Sequence, residues 1–235
     1  STNFFTFPSY IDGNRWTDIL QVGLPGTDSK WIKDPGKNSY PFTKAVPEAV
    51  YQNALVNVCH ESPSLVNVIG DERAELLAFS QGYLALGIAS SKKGEDWQML
   101  PISLKDENKF KMYSHGLGAG DINGDGLADV IERSGWWEQP KNWDRTTPWT
   151  YHPYPFSPGK GGAQMFAFDI DGDGDNDVVT AMDGHGYGLS WFEQIEDGRE
   201  ITFKEHTVMT NRMEDNPYGV SFSQLHAMSM ADIDN

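Results

Sequence analysis

The sequence predicts an all-β fold, a β-propeller of four-stranded antiparallel blades, from three observations. An acidic motif recurs about every 50 residues, and short apolar stretches that contain β-branched residues surround each copy. Clusters of proline and glycine separate these stretches, and no long stretch has the period of an amphipathic helix. Several short strands per repeat match one propeller blade, and radial repetition buries aromatic side chains between neighbouring sheets.

The two clearest copies of the motif align without gaps, as DINGDGLAD at 121–129 and DIDGDGDND at 169–177. Each is followed by a short apolar stretch and then by WWEQ or WFEQ. With two weaker copies upstream and one at the end of the sequence, the motifs start at residues 10, 67, 121, 169 and 232. The last copy stops at its fourth position, so we expect residues 1–235 to form an incomplete ring in a longer polypeptide. The alternative is a five-bladed ring with a degenerate last loop.

Charge and composition exclude several classes of protein. The chain has 34 acidic and 18 basic residues, a formal net charge of −16. A surface this acidic repels a phosphate backbone, so we expect no nucleic-acid partner. No apolar stretch approaches the roughly 20 residues of a membrane-spanning helix. The single cysteine, Cys59, excludes a disulfide framework and a cysteine-based zinc site.

The acidic loops have the pattern of calcium sites. Carboxylates or amides at positions 1, 3 and 5, a backbone carbonyl at 7 and a carboxylate at 9 form an all-oxygen ligand set. Without a cation, like charges about 4 Å apart repel by roughly 4 kcal/mol at an effective dielectric constant near 20. Ca²⁺ is therefore the expected cofactor. The predicted ligands are Asp121, Asn123, Asp125, Leu127, Asp129, Asp169, Asp171, Asp173, Asp175, Asp177, Asp232 and Asp234.

Single positions in the motifs argue against strong metal binding by the two weaker copies and against an EF-hand in the 121–129 copy. Tyr10 replaces the leading aspartate of the first copy, which favours weak binding at most. Ile69 occupies a ligand position of the second copy, which favours a structural turn without metal. Glu132 completes an EF-hand expression in the 121–129 copy, but Thr180 stands at the equivalent position of its twin, and the flanking residues are not helical in pattern.

A second set of polar residues stands ahead of the loops. Six positions before the first ligand of their motifs are Glu61, His115, Ala163 and His226, and Gln164 follows one position later. His185 lies in the insertion GHGYG. If these residues begin the innermost strands, they surround the mouth of the central channel, opposite the calcium loops. There they can hold a transition metal or act as acid and base, or they can simply cap the channel with hydrogen bonds. The other histidines, His60, His152 and His206, show no such pattern.

The motifs resemble those of a known family. The acidic loops behind a predicted inner strand are similar to FG-GAP/VCBS-type repeats of integrin α-chain heads and many secreted bacterial propellers. HGLGAGDINGDGLADV, GWWEQP, GGAQM and HGYGLSWFEQ also resemble VCBS-type propellers of the aldos-2-ulose dehydratase group. The resemblance covers essentially the whole chain. It implies the propeller fold more specifically than any activity.

Three functions remain open from the sequence. The first is a calcium-stabilised, secreted or periplasmic recognition module for carbohydrate or protein ligands. Extracellular calcium modules bind calcium with dissociation constants of about 10⁻⁴–10⁻³ M, so they need a calcium-rich extracellular or periplasmic compartment. The second is a sugar dehydratase or lyase, with His115, His226, His185 and Gln164 as catalytic residues and a second divalent metal at the channel mouth. The third is a purely architectural part of a longer surface protein.

Overall fold

The computed structural model describes residues 3–34, 36, 50–71, 73–90, 95–197 and 200–231. These residues form β-strands joined by loops, with one short 3₁₀ helix and no α-helix within the described ranges. The prediction of an all-β protein is therefore confirmed. No helix in the described part of the chain has the length and apolar character needed to cross a membrane. The chain divides into two compact units, residues 1–60 with 65–112 and residues 61–64 with 113–235.

The first unit contains strands of two four-stranded sheets, in each of which the strands follow one another in chain order. Alternation of buried and less buried residues in DILQVG makes one face of β2 part of the core, including Leu20 and Val22. Trp31 and Trp97 pack edge to face in the same core. The strands are β1 (Asn3–Ser9), β2 (Asp18–Gly23), β3 (Lys30–Lys33), β4 (Val50–Asn53), β5 (Ser64–Val66), β6 (Glu75–Ser80), β7 (Tyr83–Ile88) and β8 (Gln98–Pro101).

The second unit contains one eight-stranded sheet made of two antiparallel four-stranded meanders. The first strand of one meander, β9, pairs in parallel with the first strand of the next, β13. Gly118 permits this close approach, because a Cβ there would lie 1.9 Å from the Met165 carbonyl oxygen. The strands are β9 (Leu117–Gly120), β10 (Asp129–Glu132), β11 (Gly135–Glu138), β12 (Thr150–Pro153), β13 (Gln164–Phe168), β14 (Asp177–Ala181), β15 (Leu189–Asp197) and β16 (Glu200–Met209). The 3₁₀ helix Met213–Asp215 follows them.

The core of the second unit contains aromatic residues from both meanders. Trp136 of the first meander packs in one cluster with Phe192 and Phe203 of the second, and Phe156 lies among them. The hydroxyl of Tyr154 donates to the Phe203 carbonyl over 2.7 Å. The two meanders of this unit are therefore joined by packing as well as by the β9–β13 pairing.

Each of the first four acidic motifs occupies the loop between the first and second strands of a four-stranded group. The loops at 121–129 and 169–177 thus follow β9 and β13, whereas His115 and Gln164 lie at or just before the starts of these strands. Within the second unit, the histidine-bearing end and the acidic end of the strands are therefore opposite ends. This placement fixes the surroundings of both candidate sites.

Candidate metal centre

Three histidines and one glutamate from four separate segments of the second unit come together. Glu61, His115, His185 and His226 each offer one ligand atom, and these atoms lie within 4.8 Å of one another. Nε2 of His115 lies 2.8 Å from Oε2 of Glu61 and 3.3 Å from Nε2 of His185. The ring centroid of His226 is 5.3 Å from that of His115 and 4.9 Å from that of His185. We call these four residues the His/Glu cluster.

His115 is the buried member of the cluster. Its backbone N–H donates to the Lys160 carbonyl over 2.8 Å, and its side chain is fully buried. Burial, together with the neighbouring His226 and His185, lowers the pKa of His115 to about 4. The ring is therefore neutral near pH 7 and keeps a lone pair for a metal ion. Its buried Nδ1 atom has no hydrogen-bond partner among the described residues.

His185 is the exposed member, and a glycine-rich loop holds it beside His115. The backbone N–H of His185 donates to Oδ1 of Asp183 over 2.8 Å, and that of Gly184 donates to the Gly161 carbonyl over 2.8 Å. A Cβ at residue 184 would lie 3.3 Å from atoms of the His115 ring. Glycine at this position therefore lets the loop pass close to the imidazole.

His226 is oriented by its own chain segment. Its Nδ1 atom lies 3.1 Å from the Gln224 carbonyl oxygen, which can only accept, so Nδ1 carries the proton and Nε2 keeps the lone pair. The backbone N–H of Gln224 in turn donates to the Gly186 carbonyl over 2.8 Å. The segment that carries His226 is thus attached to the loop that carries His185.

Gln164 and Glu61 complete the surroundings. The amide oxygen of Gln164 accepts a hydrogen bond from the backbone N–H of Met228 over 3.2 Å, so this predicted catalytic residue contacts the segment of His226. The backbone N–H of Glu61 donates to the Ser114 carbonyl over 2.8 Å, which places Glu61 beside His115. The shared offset from the motifs was the sequence signal for Glu61, His115 and His226. At the equivalent position, Ala163 is buried.

The loop at 169–177 brings three carboxylates together. Oxygens of Asp169, Asp171 and Asp173 lie within 4.8 Å of one another. Burial and the charges of Asp173, Asp177, Asp171 and Asp169 raise the pKa of Asp175 to about 6. The loop therefore concentrates negative charge in the way that the sequence predicts for a cation site.

In the loop at 121–129, side-chain oxygens accept hydrogen bonds from backbone N–H groups of the loop itself. Both oxygens of Asp121 accept backbone N–H groups, from Asp125 at 3.1 Å and from Gly126 at 2.8 Å. Oδ1 of Asn123 accepts from Asp125 over 3.1 Å, and Oδ1 of Asp125 accepts from Leu127 over 2.9 Å. Burial raises the pKa of Asp129 to about 7. Asp232 and Asp234, the predicted ligands of the last motif, lie outside the described residues.

Two histidines without a sequence pattern have closely similar surroundings in the structure. His152 on β12 stacks on Trp136 with ring centroids 4.0 Å apart, and Nε2 lies 2.8 Å from Oε2 of Glu138. His206 on β16 stacks on Trp191 at 4.2 Å and contacts Glu193. We call these sets the first and second Trp–His–Glu stacks. The repeated W-x-E is the sequence pattern that could have indicated both stacks. In each, strand pairing places the histidine directly opposite the tryptophan on the next strand.

Comparisons with known proteins do not show a family for this chain. No protein-family model matches it, and no curated protein matches it. Among solved structures, the crystal structure of the Vibrio cholerae biofilm matrix protein Bap1 is similar at 12% sequence identity with a TM-score of 0.42. That match covers 83% of this chain, and the chain spans 36% of the length of Bap1.

Proposed function

We propose that this protein is a metal-dependent enzyme whose divalent transition-metal ion is held by Glu61, His115, His185 and His226. The observation that supports the proposal is the meeting of three imidazoles and one carboxylate, from four separate segments, within 4.8 Å. Two ligand atoms on one Zn²⁺ ion are separated by at most about 4.2 Å, twice the usual metal–nitrogen distance. Small side-chain rotations therefore suffice to close the cluster around an ion.

The donor chemistry of the cluster fits such an ion. Imidazole suits zinc, iron, copper and nickel, and a carboxylate adds negative charge without requiring a calcium-type oxygen cage. The protonated Nδ1 of His226 presents Nε2 as the donor, and the burial of His115 keeps that ring neutral. Nε2 of His115, which already lies against Glu61 and His185, is the donor that this ring offers to the ion.

For the reaction, we propose a lyase of the sugar-dehydratase type, the class implied by the resemblance of HGLGAGDINGDGLADV and HGYGLSWFEQ. When bound, the ion would polarise a carbonyl or hydroxyl oxygen of the substrate as a Lewis acid. His185 is the exposed member of the cluster, so substrate approaches from its side. Asp183 holds the His185 loop, and Gln164 holds the His226 segment.

The first experiment measures metal content and turnover separately. Purified protein is analysed for bound metals and titrated with Zn²⁺, and keto-sugar dehydration is assayed. His115→Ala and His226→Ala should lose the metal, whereas His206→Ala, a histidine of the same unit outside the cluster, should retain it. If the wild-type protein holds no metal ion in the cluster, either as purified or after titration with Zn²⁺, the metal centre is refuted. A bound ion without turnover on keto-sugars refutes only the reaction class.

As a second function, we propose a calcium-stabilised recognition module of propeller blades, acting in an extracellular or periplasmic compartment. The supporting observation is the grouping of Asp169, Asp171 and Asp173 in a loop whose equivalent recurs at the same point of four meanders. The parallel pairing of β9 with β13 is what two neighbouring blades require at their inner edges. A glycan array and a protein pull-down, each with and without chelator, test this function, and absence of binding in both contradicts it.

A further inference from the structure

A groove of about 570 Å³ lies in the second unit, away from the His/Glu cluster, where the two meanders meet. Its seven lining residues come from the 121–129 loop, from β11 and β12, and from the start of β16. They are Asn123, Trp136, Glu138, His152, Pro153, Glu200 and Ile201. We call it the seam groove. Its volume is within the range of small-molecule sites, about 300–1,000 Å³.

The first Trp–His–Glu stack forms one wall of this groove. Trp136 is buried and supports the His152 ring at 4.0 Å with an interplanar angle of 11°. Oε2 of Glu138 lies 2.8 Å from Nε2 of His152, which fixes the ring about its χ angles. The two side chains remain 39% and 37% exposed, so they are rigid but accessible to a ligand. A pre-arranged polar wall of this kind lowers the entropy cost of binding.

The remaining lining residues decide the chemistry of the ligand. The carboxylates of Glu138 and Glu200 accept hydrogen bonds, and the side-chain amide of Asn123 donates them, since its oxygen already accepts from Asp125. Ile201 adds an apolar surface. A ligand with several hydroxyl groups and an apolar C–H face satisfies both kinds of contact, whereas an anion is repelled by the two carboxylates and by the net charge of −16.

We propose that the seam groove binds one ring of a neutral carbohydrate, with Glu138 and His152 as its main hydrogen-bonding residues. The proposal deepens the recognition function by locating a sugar site, and it is independent of the His/Glu cluster. The second Trp–His–Glu stack provides the matched comparison. There, the carboxylate of Glu193 is already paired with Nζ of Lys204 at 2.9 Å, and neither His206 nor Glu193 lines the seam groove.

The test is a titration with methyl glycosides of glucose, galactose and mannose, followed by ligand-observed NMR. Glu138→Gln and His152→Ala should each weaken binding about tenfold, the loss of one hydrogen bond to a charged or fixed polar group. Glu193→Gln and His206→Ala make the same chemical changes in the second stack and should leave binding unchanged. Thermal melting of all four variants checks folding, and Glu200→Gln, an exposed substitution, gives a variant whose fold is least disturbed.

Each outcome separates this site from the proposed functions. If no methyl glycoside binds, the seam groove is not a carbohydrate site, while the metal centre stands. If sugars bind but the Glu138 and His152 variants bind as well as the wild-type protein, recognition stands and the groove is refuted. If variants of both stacks weaken sugar binding equally, the effect is structural, and the seam groove is also refuted as the sugar site. Binding of methylammonium in place of sugars, lost in Glu138→Gln, refutes the neutral ligand. Metal content should be unchanged in all variants.

Discussion

The backbone N–H of Gln194 donates to Oδ1 of Asp177 across 2.9 Å, while the other carboxylate oxygen accepts the N–H of Ile170 at 3.0 Å. The last acid of the motif thus joins its own loop to the third strand of the same meander. Asp129 makes the same two contacts, with Gln139 and Ile122. The EQ of WWEQ and WFEQ marks this connection in the sequence.

Because of this connection, we expect substitutions of two aspartates in one loop to have different effects on the free energy of unfolding. Asp177→Ala leaves the buried N–H of Gln194 and the partly buried N–H of Ile170 without their acceptor, so we expect it to lower the free energy of unfolding by about 1–3 kcal/mol. Asp171→Ala, at an exposed position of the loop, should change it by less than about 0.5 kcal/mol in the presence of chelator. Urea denaturation with EDTA measures both, and equal losses would refute the structural role of Asp177.

The same role explains what the sequence pattern could and could not predict. Four of the acidic motifs lie between strands, and His115 and His226, which share an offset from their motifs, lie beside each other. The ninth position, however, was predicted only as a calcium ligand. The second copy also ends in an acid, Glu75, although Ile69 stands at a ligand position, and Glu75 accepts the N–H groups of Val68 and Ile69. Pattern alone cannot separate a structural acid from a ligand, because both need an oxygen at that position.

The fourth-strand histidines show a second limit of sequence reasoning. His152 and His206 have no fixed offset from the acidic motifs, and they contact Trp136 and Trp191 only because strand pairing sets them directly opposite. Register of this kind depends on where each strand begins and which residues pair, and the sequence pattern does not determine either. The prediction that residues 1–235 form a single propeller region stays a prediction.

Glu75 predicts a dependence of stability on pH. Burial raises its pKa above the ordinary value of 4.5, against the opposing effect of its backbone hydrogen bonds, and the charge of Asp71 adds to the rise. A raised pKa in the folded state favours folding below about pH 4.5, and that stabilisation is lost as pH rises through the folded-state pKa. Glu75→Gln keeps an acceptor oxygen and cannot ionise, so it should gain stability relative to the wild type between acidic and neutral pH. Urea denaturation at both pH values measures the gain.

The control for this prediction is Glu200→Gln, which removes the same charge at an exposed position. It should change the free energy of unfolding little. A Glu75→Gln protein that loses stability on going from acidic to neutral pH as much as the wild type does would contradict the assignment to Glu75.

Calcium should raise the melting temperature. An ion that binds only the folded state adds about 2.7 kcal/mol when its concentration is 100 times the dissociation constant, which corresponds to a shift on the order of 5–10 °C for a chain of this size. Asp171→Asn and Asp173→Asn should reduce the shift, because these carboxylates belong to the cluster of the 169–177 loop. The measurement is thermal melting with calcium and with EDTA, and identical curves would contradict a calcium site in this loop.

Metal binding by the His/Glu cluster should be sensitive to a larger side chain at Gly184. A valine at this position would place its Cβ 3.3 Å from the His115 ring and push the loop with His185 away. We expect Gly184→Val to lower affinity for Zn²⁺ about tenfold or more, since it displaces one ligand of four. The calcium-dependent shift in melting temperature, which depends on the opposite end of the strands, should persist in the same sample. Unchanged Zn²⁺ affinity would show that His185 is not a ligand.

Gln164 should act on metal binding through His226 and not as a ligand. Its amide oxygen accepts the N–H of Met228, so Gln164→Leu leaves that group without its partner and loosens the segment that carries His226. The affinity for Zn²⁺ should fall about tenfold, the cost of one lost hydrogen bond, and less than in His226→Ala. Gln164→Glu keeps an acceptor oxygen at the same position and should restore binding. Competition with a coloured chelator measures all three variants, and failure of the glutamate variant to restore affinity would contradict this positioning role.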